Sequence, residues 1–360
     1  MAESQELISF IASMTGEGSL RVEENLGEGF VRLRVAEAER RQAKHDIQHV
    51  EDIVIEMLRN ARDAHATKIY IATAKEEGVR TLLFLDNGSG IPEDMFERIF
   101  DARVTSKLES MKMDRWGVHG RGMALYSIRE NTEDARVVAS GPGKGSSLSV
   151  IVDCARLPER ADQSTWPQAV RDDDGTWVCA RGPHNIIRAT CEFALEERHG
   201  CDVYLGSPAE IAATLYAHAS GELDASRLLF LDDEEGLPVV ERLGYAADAA
   251  DVMRIAASLG ISISERTAHR ILSGQVKPVR SVTSRILRER KRTSAPAEVD
   301  LTRDRRGLKI SRDDLDAFSR LLERDFDDLA AKYYLTLARE PKIKVSRDAI
   351  TVTFEVGKGD

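Results

Sequence analysis

The sequence predicts an α+β fold, with an α/β sandwich in the first half of the chain, a mostly helical module after it and a C-terminal strand. Apolar residues recur at helical spacing in residues 53–61, which predicts an amphipathic helix. The aliphatic and β-branched run Val79–Leu85 predicts a buried strand. Residues 252–272 show two amphipathic patterns separated at Gly260, and residues 349–356 alternate between apolar and polar as a strand does.

The composition is typical of a folded protein. The 360 residues are 42% hydrophobic and 31% charged, which argues against long disorder and leaves room for two or three domains. No apolar run approaches the length of a membrane span, and the apolar stretch 7–14 lacks a basic flank, so we expect a cytoplasmic protein without a membrane partner. The four cysteines form no C-x-x-C pair, which predicts free thiols.

Three polar side chains share one side of the first predicted helix. Glu56, Asn60 and Asp63 stand at positions i, i+4 and i+7, which places them along one stripe. Such a stripe suits a hydrated Mg²⁺ ion and an attacking water. Asn60 is the predicted metal ligand through its side-chain oxygen, Glu56 the predicted base, and Asp63 is predicted to hold Asn60 and nearby water. Taken alone, Glu56 has the alternative of being a solvated helix residue, but its neighbours favour a functional role.

The predicted strand ends at Asp86, in front of a glycine-rich turn. A carboxylate there can accept a hydrogen bond from the exocyclic amine of adenine, which would favour adenine over guanine. Gly88 and Gly90 would let the backbone approach the base closely, because glycine has no Cβ. Together with Ile91, these residues form the predicted base-binding side of a nucleotide site.

A second glycine-rich run, Gly117–Gly122, precedes a helix predicted to begin near Met123. Its glycines can adopt positive φ and point N–H groups at phosphate oxygens, and the helix adds its N-terminal dipole. Lys107 and Arg121 would add positive charge near the β- and γ-phosphates. The predicted phosphate-side residues are Lys107, Gly117, Val118, His119, Gly120, Arg121, Gly122 and Met123.

The order and spacing of these elements resemble the GHKL superfamily of Bergerat-fold ATPases and kinases, which includes gyrases, heat-shock chaperones, histidine kinases and mismatch-repair proteins. Glu56–Ala64 is similar to its N box, Asp86–Ile91 to its G1 box, and Gly117–Leu125 to its G2 box with the glycine lid. Any one of these motifs would be weak evidence. Their occurrence in the family's order makes the resemblance strong.

Two more segments extend the resemblance to about residues 50–153. Phe100–Lys107 resembles the segment before the lid that ends in a Lys, and Gly143–Val150 resembles the terminal glycine-hydroxyl strand, in which Ser147 is expected to contact the nucleotide. The resemblance implies a Bergerat-type α/β sandwich that binds ATP and Mg²⁺. It also implies hydrolysis or phosphotransfer and, as in several relatives, a homodimer that forms with ATP.

Basic residues are concentrated in one part of an otherwise acidic chain. The formal net charge is −10, yet residues 264–310 contain thirteen Lys or Arg and five Asp or Glu, which indicates a surface that faces a polyanion. Residues 252–272 resemble a helix-turn-helix whose second helix would expose Arg266, His269 and Arg270 to DNA. The alternative is an ordinary solvated basic face, and the turn is about two residues longer than the usual three or four.

The sequence predicts four parts: an ATP-binding domain with an N-terminal extension (1–155), a small α/β connection (156–220), a basic helical module (221–310), and a C-terminal helix and strand (311–360). The preferred hypothesis is an ATPase whose nucleotide state controls dimerisation or a DNA-linked partner. Two alternatives stay open. One is a protein kinase of the histidine-kinase or anti-sigma type, and the other is a nucleotide-sensing transcriptional regulator without turnover.

Overall fold

The computed structural model describes residues 22–27, 29–34, 37–105, 112–114, 117–119, 122–160, 162–172, 174–222, 233–287, 310, 312–345 and 349–358. They belong to two compact units, residues 1–289 and residues 290–360. The described helices of the first unit are α1 (Glu37–Asp46), α2 (Val50–Asp63), α3 (Ala124–Asn131), α4 (Ile186–Glu196), α5 (Pro208–Glu222), α6 (Ala249–Ser258), α7 (Glu265–Leu272) and α8 (Val282–Ile286). Its described strands are β1 (Val22–Gly27), β2 (Phe30–Leu33), β3 (Lys68–Glu76), β4 (Val79–Asp86), β5 (Val104–Thr105), β6 (Lys112–Asp114), β7 (Gly117–His119), β8 (Asp134–Ser140), β9 (Ser146–Asp153), β10 (Gln168–Arg171), β11 (Trp177–Arg181) and β12 (Asp202–Gly206).

A five-stranded mixed sheet organises the first unit. The strand order is β12-β3-β4-β9-β8, with β12 parallel to β3 and the other pairs antiparallel. Successive side chains of β4 point to opposite faces, and both sets are buried: Leu82 and Phe84 belong to one apolar cluster, Leu83 and Leu85 to the other. The sheet therefore needs a helical layer on each face.

Different helices cover the two faces. Helices α2, α4 and α8 contribute to the apolar cluster on the first face, whereas α5, α6, α7 and the 3₁₀ segment Val239–Tyr245 contribute to the cluster on the second. The mixed α/β architecture agrees with the predicted fold class. Residues 233–287, which are most of the described part of the predicted basic helical module, however, belong to the same unit as the predicted ATP-binding domain. The four-part division by residue number stays a prediction about functional modules.

Helix α2 begins and ends with local signals. The Asp52 carboxylate accepts hydrogen bonds from the backbone N–H groups of Gln48 and His49, both at 2.9 Å, which satisfies donors at the helix N-terminus. The chain leaves the helix at His65, whose φ of +60° is left-handed. The apolar side of the helix packs on the sheet, and its polar side remains beside a cavity.

The second unit contains α9 (Arg312–Tyr333), β13 (Leu335–Leu337), β14 (Lys342–Val345), β15 (Ile350–Thr353) and β16 (Val356–Lys358). The single strand predicted for residues 349–356 is divided, because β15 pairs with β14 and β16 pairs with β13. Phe326 of α9 stacks on Phe354 between these strands, with ring centroids 4.7 Å apart. Across the described parts of both units, no helix is long and apolar enough to cross a membrane.

Candidate functional site

A cavity of about 630 Å³ lies between α2, the sheet and the start of α3. This volume is within the range of small-molecule sites. Eight of the predicted site residues line it: Glu56, Asn60, Asp63, Asp86, Gly90, Ile91, Gly122 and Met123. Segments far apart in the sequence thus meet around one space, as their predicted roles require.

Asp86, the last residue of β4, lines the cavity. Its side chain is buried and accepts hydrogen bonds from the Ser146 hydroxyl at 2.5 Å and from the Gly88 backbone N–H at 2.7 Å. Burial raises the pKa of Asp86, while the two hydrogen bonds act in the opposite direction. A buried carboxyl group with few partners is suited to recognising an N–H donor, such as the exocyclic amine of adenine.

Ser146, rather than the predicted Ser147, lies at the cavity. The Ser147 hydroxyl is on the opposite face of the sheet, where it donates to the backbone carbonyl of Leu259 at 2.7 Å. The difference of one residue follows from strand geometry, because neighbouring side chains point to opposite faces. The pairing of Ser146 with Asp86 in the β4–β9 ladder fixes which serine faces the cavity.

The two glycines after Asp86 are required by the protein backbone itself. A Cβ on Gly90, whose φ is +73°, would lie 1.9 Å from the carbonyl oxygen of Gly141. A Cβ on Gly88 would lie 2.6 Å from the carbonyl oxygen of Ala64, and Gly88 does not line the cavity. Close approach of two backbone segments is therefore a reason for glycine at both positions, and close approach of the base stays a prediction.

The polar stripe of α2 lines the same cavity. Arg59, which the sequence analysis missed, donates from Nη1 to Glu56 Oε1 at 2.6 Å, and its side chain is only 5% exposed. The spacing i, i+3 could have indicated this pair. Asp63 forms an ion pair with Arg62, with 3.6 Å between Oδ1 and Nε. Among the described residues, the buried Asn60 side-chain nitrogen has no hydrogen-bond partner.

These residues fit a magnesium–nucleotide complex better than an ion held by protein alone. In the described part of the chain, no group of three or more His, Cys, Asp or Glu could hold a metal ion. Mg²⁺ commonly takes one or two protein oxygens and completes its octahedron with phosphates and waters. The side-chain oxygen of Asn60, which lines the same cavity as Glu56, suits such a site.

The predicted phosphate side is described only in part. Gly122 has the predicted positive φ, at +65°, and its carbonyl accepts from the Arg103 N–H at 2.8 Å. Met123 directly precedes α3 and lines the cavity. The run Gly117–His119, which includes Val118, forms β7 paired with β6. Lys107, Gly120 and Arg121 lie outside the described residues.

The two helices predicted around Gly260 are present as α6 and α7. Ser264 caps α7 by accepting from the Thr267 N–H at 3.3 Å, and Ala268 and Ile271 are buried beneath it. Arg266, His269 and Arg270 are exposed and surround one shallow surface depression. The geometry places these three residues together, and their contact with DNA stays a prediction.

The fold and the cavity define a mixed α/β domain with a space of small-molecule size, and sequence comparison names its class. Residues 47–163 match the family model described as "Histidine kinase-, DNA gyrase B-, and HSP90-like ATPase". This match identifies that segment as an ATP-binding domain of the GHKL superfamily.

Individual relatives match over the same limited part of the chain. DNA mismatch repair protein MutL of Listeria monocytogenes serovar 1/2a is 35% identical over 107 residues, which are 29% of this chain and 18% of that protein. MutL of Staphylococcus carnosus is 37% identical over 98 residues, 27% of this chain and 15% of that protein. This chain thus spans less than a fifth of these relatives. The crystal structure of full-length ShkA in complex with AMPPNP aligns with 79% of this chain and 65% of that chain, at 14% identity and a TM-score of 0.23.

Proposed function

We propose that the protein binds ATP with Mg²⁺ in the cavity beside α2 and hydrolyses it, with Glu56 as the general base. One observation carries the proposal: the buried Asp86 and the α2 residues Glu56 and Asn60, which come from separate segments of the chain, line one cavity. We infer that Asp86 contacts adenine and that Glu56 and Asn60 face the phosphates of the same nucleotide. The GHKL family match supports ATP as the ligand.

Each residue then has a definite task. Asp86 accepts the adenine amine while the Ser146 hydroxyl holds the carboxyl group in place. Asn60 offers its side-chain oxygen to Mg²⁺, which when bound neutralises charge on the phosphates. Arg59 holds the Glu56 carboxylate one turn from Asn60, so that Glu56 can orient a water for in-line attack and take its proton.

Incubation with γ-labelled ATP and Mg²⁺ tests the reaction class. We expect released phosphate that depends on Mg²⁺ and on Glu56. Label retained on the protein or passed to an added protein would instead support the histidine-kinase or anti-sigma alternative. Tight binding without either product would support the nucleotide-sensing regulator. Absence of ATP binding by calorimetry would contradict all three.

As a second proposal, the nucleotide state controls a DNA-linked partner through the exposed face of α7. Arg266, His269 and Arg270 lie on one side of this helix, and Lys277 and Arg280 are exposed just after it. The MutL relatives are named as DNA mismatch repair proteins, which favours DNA over other polyanions. We also propose a homodimer that forms with ATP, which light scattering with and without an ATP analogue would test.

A salt titration with duplex DNA tests the α7 face. Phosphate contacts predict that log affinity falls with log salt concentration at a slope of about −0.9 per phosphate. Changing Arg266 and Arg270 together to Glu should abolish most binding and leave ATP affinity unchanged, because neither residue lines the nucleotide cavity. No DNA binding at low salt, in the free or the ATP-bound form, would contradict this partner.

A further inference from the structure

The first two residues of β9 connect the nucleotide cavity with the layer on the opposite face of the sheet. The Ser146 hydroxyl donates to Asp86 Oδ2 at 2.5 Å inside the cavity, and the Ser147 hydroxyl donates to the Leu259 carbonyl at 2.7 Å on the other face. Leu259 directly follows α6 and is its C-cap residue. Because Ser146 and Ser147 are consecutive in one strand, a displacement of either moves the other.

The turn between β8 and β9 is hydrogen-bonded to the loop that follows Asp86, which is the predicted base-binding loop. The Gly143 N–H donates to the Ser89 carbonyl at 2.7 Å, and the Ile91 N–H donates to the Ser140 hydroxyl, also at 2.7 Å. Ser89 and Ile91 both line the cavity. Movement of this loop around a bound base would therefore act directly on the turn.

The same turn is bonded to the opposite layer. The Lys144 carbonyl accepts from the Val239 N–H at 2.8 Å, and Lys144 Nζ donates to the Glu235 carbonyl at 2.7 Å. Gly260, between α6 and α7, lies so close to the sheet that a Cβ there would be 3.0 Å from Leu83 Cδ1. The chain between α6 and α7 is thus packed closely against the strands at this point.

We propose that adenine occupancy of the cavity is transmitted through the β8–β9 turn and the start of β9 to α6 and α7, and so sets the affinity of the α7 face for DNA. The inference rests on the proposed function. The bonds begin at Asp86, Ser89 and Ile91, on the base side, so ADP and ATP should act alike. The coupling is reciprocal, and DNA should change ADP affinity by the same factor.

Hydrogen exchange of the full chain, without nucleotide, with ADP and with a non-hydrolysable ATP analogue, tests the route without requiring DNA. We expect ADP and the analogue alike to slow amide exchange in residues 259–272 about fivefold or more. Ser147→Ala should remove most of this slowing while ADP affinity is retained. Ser149→Ala is the matched control, since Ser149 occupies the same face of β9 and, in the described residues, forms no hydrogen bond to α6.

Three results would overturn the proposal: no slowing with bound ADP, slowing with the ATP analogue alone, or full slowing in Ser147→Ala. Should Ser147→Ala not fold, Lys144→Ala removes the side-chain bond to Glu235, keeps the backbone bond to Val239, and should reduce the slowing in its place. Calorimetry with ADP and with DNA distinguishes failure of the proposed nucleotide site from failure of the proposed DNA partner. Absent ADP binding would refute the nucleotide site and the route with it, whereas absent DNA binding with intact slowing would refute only the DNA partner.

Discussion

The two faces of the central sheet carry similar apolar layers but differ in what they leave unfilled. The first face retains a cavity of about 630 Å³ with Asp86 and Asn60 on its walls. On the second face, Leu259 and Ile261 are fully buried, and the polar Ser147 is satisfied by a backbone carbonyl. In the described residues, open space and the unpartnered side-chain nitrogen of Asn60 thus occur on the first face. The first face is therefore the one suited to binding a ligand.

The largest effect expected on the cavity face is the loss of turnover on changing Glu56. Glu56→Gln keeps an oxygen that can accept from the Arg59 guanidinium but cannot take a proton from water. We expect phosphate release to fall about 10²- to 10⁴-fold, with ATP affinity retained. Steady-state kinetics and calorimetry together check this.

Glu93→Gln is the control for this variant, because Glu93 is an exposed acid outside the cavity. It should leave both quantities unchanged. An equal loss of binding and turnover in Glu56→Gln would make Glu56 structural. Undiminished turnover would assign the base to another residue.

Alanine substitutions at Gly90 and at Gly260, one on each side of the sheet, test how rigid the two faces are. Gly90→Ala places a Cβ against the backbone oxygen of Gly141, which cannot rotate away, whereas Gly260→Ala meets the movable side chains of Leu83 and Val138. Both sites have positive φ. We expect Gly90→Ala to cost about 2–4 kcal/mol of unfolding free energy and Gly260→Ala about 1–2 kcal/mol.

Denaturant unfolding measures this difference, with Gly143→Ala as reference. Gly143 also has positive φ but has open space around its Cβ position, so it reports the backbone strain alone. If Gly260→Ala proved the more costly change, the opposite layer would be the less adaptable of the two, contrary to the comparison.

Local sequence patterns were sufficient for the elements that build the cavity. Helical periodicity indicated α2, and an aliphatic run ending in an acid indicated β4 and Asp86, because both depend on neighbours within a few residues. The backbone contact that restricts Gly90 could not be predicted from local sequence, because the carbonyl that it faces belongs to the turn at Gly141, far along the chain. Tertiary contacts of this kind leave no local pattern.

On the second face of the sheet, too, local patterns predicted the helices but not their tertiary contacts. The pattern of α7 predicted that Arg266, His269 and Arg270 are exposed, as they are, and Ala268 and Ile271 are buried on its other side. It could not indicate that α6 and α7 cover the sheet of the ATP-binding domain, because any apolar surface would satisfy that pattern. Likewise, hydroxyl residues at the start of β9 were predicted, but the register that selects Ser146 comes from pairing with β4.

Asp86→Asn tests base recognition, with a smaller expected effect than the loss of Glu56. Removing the carboxylate acceptor should weaken ATP binding by about 1–3 kcal/mol, or roughly one to two decades in affinity. Calorimetry with ATP measures the loss, and unchanged affinity would refute the assignment of the base site.

Without ligand, Asp86→Asn should lose no stability and should become more stable relative to the wild type as pH rises. Burial raises the pKa of Asp86, so the folded state favours the neutral carboxyl group. The stability of the wild type should therefore fall as pH rises from the unfolded-state pKa to the raised folded-state pKa, and it stays reduced above that window. Asp86→Asn removes this ionisation. Its unfolding temperature should gain on the wild type as pH rises, and a constant difference across pH would contradict this cause.

The smallest expected effects come from the neighbouring serines of β9, and they give the sharpest comparison of the two faces. Ser146→Ala removes the hydroxyl that holds Asp86 in the cavity and should weaken ATP binding by about 0.5–1.5 kcal/mol. Ser147→Ala removes the bond to Leu259 and should cost a similar amount of unfolding free energy, with ATP affinity unchanged. Calorimetry and denaturant unfolding on both variants would show whether the two effects separate by face. If Ser147→Ala weakened ATP binding as much as Ser146→Ala does, ligand binding would depend equally on both faces, and the division of roles between them would be refuted.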